Sequence, residues 1–143
     1  MSEKDTEVLQ HELSAAPKID DYLADNYENL RQYTLAEFLD LLLEQKALDK
    51  KEVIEKSCLD SIYAYHIFAG RKLKPSRSKI IALALAMELT PKETQHLLYY
   101  AGAKQLYVRN SWDSVIWHAL ERHLTVPQTN DLLASLSEID FLE

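Results

Sequence analysis

The chain has 143 residues, 47% of them hydrophobic, with two glycines, four prolines and one cysteine. Such a composition suffices for one packed core and holds little turn chemistry, so helix is expected nearly throughout. The net charge of −7 argues against a polyanion partner for the chain as a whole, and the lone Cys58 excludes an intrachain disulfide framework and a cysteine-based zinc finger.

From the N-terminus, residues 1–17 are polar and read as a loose helical arm closed by Pro17. Residues 18–30 carry Ile19, Tyr22, Leu23, Tyr27 and Leu30 at helical spacing, with an acidic outer face. Thr34 followed by Glu37 has capping-box spacing, and Leu35, Phe38, Leu39, Leu42 and Leu43 form one stripe of a helix running to about Ala47. Asp49 is a fitting N-cap for a short helix over 50–57. A turn, Cys58-Leu59-Asp60, follows, and Asp60 caps a second short helix over 61–69 that ends at Gly70. Pro75 or Ser76 opens the next helix. Thr90-Pro91, again with a glutamate three residues after the threonine, opens another that stops at Gly102. After a connector, helices are expected from Ser111 to about Arg122 and over 126–136, and the tail 137–143 is expected to be loosely held.

An internal repeat of period 35 runs through the second half. Ile81, Ala84, Leu85, Leu89, Thr90, Thr94, Leu97 and Leu98 recur as Ile116, Ala119, Leu120, Leu124, Thr125, Thr129, Leu132 and Leu133. Two copies are too few for a solenoid, so the expectation is two helical hairpins stacked on one another. Leu48–Val53 is a weaker echo.

Charge is unevenly spread. Residues 1–30 hold eight acids and two bases, whereas residues 61–87 hold no acid and five bases: Arg71, Lys72, Lys74, Arg77 and Lys79. This block begins inside the second short helix. Elsewhere the chemistry is sparse. The five histidines form no tight ligand set, and there is no Gly-rich phosphate loop and no nucleophile elbow. No cofactor, metal or enzymatic activity is expected. No apolar run reaches the ~20 residues a bilayer requires, and the polar, acidic N-terminal decapeptide does not read as a signal peptide. A cytoplasmic protein without membrane contact is the expectation.

Residues 35–98 resemble the phage-repressor-like (Cro/XRE) helix-turn-helix family. Asp49 and Lys50 stand at the start of the first motif helix, Val53 and Ile54 at its apolar pair, and Cys58 at the turn position. Ser61 stands at the start of the recognition helix, Ala64 at its buried position and Gly70 at its end. The Pro75-Ser76 loop and the two helices after it match as well. The resemblance implies an all-α fold. A lambda-repressor-like five-helix domain would occupy residues 34–102, behind an acidic, partly helical arm (1–33) and ahead of an added C-terminal helical hairpin (103–143). It also implies a transcriptional regulator that binds double-stranded DNA with helix 61–69 in the major groove. On that reading the base-reading candidates are Ser61, Ile62, Tyr63 and His66. The phosphate candidates are Lys50, Lys51, Arg71, Lys72, Lys74 and Arg77. The last hairpin is the natural place for a homodimer contact.

Two departures stand out. Cys58 occupies the family's glycine position and would cost about 1 kcal/mol if the turn needs a positive φ. The recognition helix carries no Arg, Gln or Asn, the strong bidentate base readers. The alternative is therefore a helical protein–protein interaction module that keeps the fold without reading an operator. An antitoxin-type repressor with both a protein partner and DNA would combine the two.

Overall fold

The computed structural model describes residues 4–25, 33–72 and 74–136. Among these residues the only regular structure is helix: α1 (Thr6–Ala15), α2 (Ile19–Asp25), α3 (Leu35–Gln45), α4 (Lys50–Ser57), α5 (Ser61–Phe68), α6 (Arg77–Ala86), α7 (Pro91–Tyr100), α8 (Ser111–Glu121) and α9 (Val126–Ser135). No helix among them is long and apolar enough to cross a membrane. The chain divides into two compact units, residues 1–32 and residues 33–143.

In the first unit α1 and α2 pack on one another. α1 buries no residue, and Lys4 Nζ bonds Glu12, eight residues on, at 2.8 Å. Tyr22 of α2 is buried, whereas Val8, Leu13, Ile19 and Leu23 stay exposed. The expected continuation of α2 through Tyr27 and Leu30 lies outside the described residues, as does the 137–143 tail.

The second unit is built around α6. Residues 80–87 are all buried, because α4, α7, α8 and α9 all pack against that helix. α3 closes the core against α5 and α7. The residues before α3 join this unit: the Tyr33 ring lies 5.9 Å from Phe38 and edge-on at 5.6 Å to Tyr100. The α8–α9 hairpin shares this core. Ile116, Ala119, Leu120 and Leu133 are buried in the same cluster as the residues of α3 to α7. Of the aromatic residues near the connector between α7 and α8, Tyr100, Trp112 and Trp117 pack against the core, while Tyr99 and Tyr107 are exposed.

The helix boundaries follow from capping chemistry. The Thr34, Thr90 and Thr125 hydroxyls each accept the backbone N–H three residues on, and the Glu37, Glu93 and Gln128 side chains each accept the threonine's own N–H, making three reciprocal boxes. Asp49 and Asp60 cap α4 and α5. Five helices end in the same way, with a left-handed residue and a backbone bond spanning six residues, such as Leu89 N–H to the Ala84 carbonyl and Leu124 N–H to the Ala119 carbonyl. Glycine fills the left-handed position at Gly70 and Gly102, but Ala47, Glu88 and His123 fill the other three. The 35-residue repeat is thus a repeat of caps. Glu88-Leu89-Thr90 and His123-Leu124-Thr125 make the same left-handed stop, buried or half-buried leucine and threonine start. The echo at Ala47-Leu48-Asp49 does so with an aspartate.

Candidate nucleic-acid interface

α4 and α5 are joined by three residues. Ser57, fully buried, fixes the turn from within: its hydroxyl donates to the Ile54 carbonyl at 2.6 Å and accepts from Leu59 N–H at 3.2 Å. Cys58 follows in the left-handed region, φ 61° and ψ 13°. The condition under which its side chain costs stability is met, and the thiol is exposed. Leu59 packs against the core, and Asp60 accepts Tyr63 N–H at 3.0 Å to start α5.

α5 has one apolar face to bury and buries it. Ala64, Ile67 and Phe68 are at most 3% exposed, as their i, i+3, i+4 spacing requires. That orientation turns Ser61, Ile62 and Tyr65 outward, with Ile62 68% and Tyr65 43% exposed. His66 is half-buried, and its backbone carbonyl is taken up by the Arg71 and Lys72 N–H groups in the turn after Gly70. Two of the four base-reading candidates, Ser61 and Ile62, therefore project freely from the face.

Tyr63 is placed differently. Its half-buried ring lies under two ammonium groups, Lys72 Nζ at 5.2 Å and Lys79 Nζ at 5.0 Å from the ring centre, within the range of cation–π attraction. Lys79 was not among the phosphate candidates. The signal was its place in the acid-free block, one turn into α6, where a side chain reaches back over the face of α5. Lys50 Nζ lies 5.6 Å from the Phe68 ring. Lys51, Arg71, Lys72 and Lys74 are exposed.

Arg77 belongs to another site. Its guanidinium pairs with Asp113 through two bonds, Nη1 to Oδ1 at 3.0 Å and Nη2 to Oδ2 at 2.8 Å. Nε also donates to the Lys104 carbonyl at 2.7 Å, and Nη2 to that of Gln105 at 3.2 Å. The guanidinium carbon lies 5.8 Å from the Trp112 ring centre. The planar fork is used inside the protein, so Arg77 leaves the set of phosphate candidates. The physical reason is the connector 103–110. Its carbonyls point back at the start of α6, and Asp113, 6% exposed, needs a cation beside it.

Gln95 holds the same connector from the other side. It donates to the Leu106 carbonyl at 2.9 Å and accepts Leu106 N–H at 2.6 Å. Among the described residues no group of three His, Cys, Asp or Glu side chains converges to hold a metal ion. No protein-family model, curated protein or solved structure matches the chain.

Proposed function

We propose that the chain is a DNA-binding transcriptional regulator of the Cro/XRE type, with α4 and α5 acting as a lambda-repressor-like helix-turn-helix and α5 entering the major groove. One arrangement carries this reading. The outer face of α5 exposes Ser61, Ile62 and Tyr65, and its half-buried Tyr63 ring is flanked by Lys72 and Lys79. Arg71, Lys72 and Lys74 follow within four residues of Gly70, Lys50 and Lys51 open α4, and residues 61–87 contain no acid. An exposed helix face bordered by bases is the electrostatic footprint of a duplex partner, in which phosphate contacts position the helix and base contacts specify the sequence.

The test is selection of bound duplexes from a random pool at about 50 mM salt, followed by a salt titration to about 200 mM, over which binding through several phosphates weakens steeply. Absence of binding to the pool at the lower salt would sink the proposal. Such a regulator would meet a two-fold operator as a homodimer.

A second reading is favoured by Ile62. An isoleucine 68% exposed on a helix without Arg, Asn or Gln is also what a protein-docking face would carry. A helical interaction module predicts a stable complex with a protein partner and no salt-dependent retention of DNA.

A further inference from the structure

Tyr63 stands at a position from which the proposed DNA reading expects a base contact, yet its ring is already engaged. Two ammonium groups, from Lys72 in the turn after α5 and Lys79 in α6, lie within 5.2 Å of one point, the ring centre. They come from separate segments, seven residues apart in sequence, and neither segment contains a carboxylate. A lysine side chain loses considerable rotamer freedom when it is fixed on a phosphate. A lysine already held against an aromatic face has lost part of that freedom before the ligand arrives, which is preorganisation. The ring face attracts the cation without neutralising it.

Resting on the DNA reading, we infer that Tyr63 is a positioning residue that holds Lys72 and Lys79 as a clamp for backbone phosphate, and that it does not read bases. The clamp sits at the rim of the α5 face, so a duplex docked on Ser61 and Ile62 brings one strand's phosphates past it. Lys79 thereby joins the phosphate set in the place Arg77 vacates.

The experiment measures binding of the full chain to a labelled duplex obtained by selection and to a random-sequence duplex, across a salt series, with thermal melting of each variant as the folding control. Tyr63→Phe keeps the ring face and is expected to bind as the unmodified chain does. Tyr63→Leu is expected to weaken both duplexes by the same factor, about two- to five-fold, the value of a solvent-accessible cation–π pair. Lys72→Ala and Lys79→Ala are each expected to reduce the salt slope by about 1. The clamp is overturned if Tyr63→Leu binds like the unmodified chain, if it changes the ratio between the two duplexes, or if Lys79→Ala leaves the slope unaltered. Failure of the unmodified chain to bind either duplex is a different result, since it removes the DNA reading and the clamp together.

Discussion

Arg77 and Asp113, 36 residues apart, form a two-bond ion pair that ties the start of α6 to the start of α8. Asp113 is nearly buried and also accepts Tyr107 N–H at 2.8 Å. Removing the carboxylate leaves the guanidinium partly buried without its counter-charge, and takes from the connector's Tyr107 N–H its acceptor. Asp113→Ala is expected to destabilise by about 2–3 kcal/mol, read from a urea unfolding curve. Arg77→Lys should recover little of the loss in Arg77→Ala, because an ammonium cannot reproduce the planar fork. An unchanged unfolding midpoint in Asp113→Ala would show that the connector holds without the pair.

Cys58 sits at φ 61° with an exposed side chain, so its side chain brings strain and little packing. Cys58→Gly removes the left-handed penalty, and the greater freedom of glycine in the unfolded chain offsets part of the gain. A net stabilisation of about 0.5–1 kcal/mol is expected, with the opposite sign for Cys58→Val, whose branched Cβ tolerates that region least. Glu88→Gly and His123→Gly test the same argument at two other left-handed stops. Equal midpoints for Cys58→Gly and the parent chain would remove it.

Glu93 supplies a pH dependence. Burial would raise its carboxyl, but the Thr90 N–H at 2.8 Å and the Lys46 ammonium at 3.0 Å outweigh burial and hold it below the ordinary value of 4.5. A carboxylate depressed in the folded state adds stability above its unfolded value and loses it as pH falls through the lower folded value. Glu93→Gln keeps the capping box in neutral form, as Gln128 does beside Thr125, and loses the Lys46 pair. The parent chain is therefore expected to exceed Glu93→Gln by less than about 1 kcal/mol near neutral pH, the pair being partly solvated. The difference should vanish as the pH falls through that lowered folded-state value. A difference that persists in acid would place the effect in the cap rather than in the charge.

These cases mark where the sequence was legible. Local chemistry was readable, since Thr34, Asp49, Asp60 and Thr90 each sit directly before an apolar-periodic run and each caps its helix. The inward face of α5 followed from spacing alone. The Thr125–Gln128 box, which repeats the Thr90–Glu93 box 35 residues on, was not read from the sequence. Partnerships between distant segments were not readable. Arg77 in a basic run looks like its neighbours until the fold brings Asp113 to it, and no local pattern says that Lys79 will reach the Tyr63 ring. Charge order along the chain indicated which block is basic, whereas tertiary packing decided which of its members face outward.

The last prediction concerns what α5 reads. With Tyr63 held by lysines and no bidentate reader on the helix, Ser61 and Ile62 are the exposed groups at its first turn. An isoleucine offers the groove no hydrogen bond, but it can cover the 5-methyl of thymine, the apolar mark that distinguishes T·A from C·G in the major groove. Ile62 lies 68% exposed, so Ile62→Ala should alter stability by less than about 0.5 kcal/mol. The same change should narrow the preference for a selected duplex over a random one. Replacing thymine by deoxyuridine within the selected site deletes the methyl from the DNA side. If Ile62 covers that methyl, the replacement weakens the parent chain and has little further effect on Ile62→Ala, because the two changes remove the same contact. Additive losses from the two changes would mean that Ile62 touches something else, and an unaltered preference in Ile62→Ala would move readout away from this residue. In the second outcome Ser61 is the exposed base-reading candidate that remains on the first turn of α5.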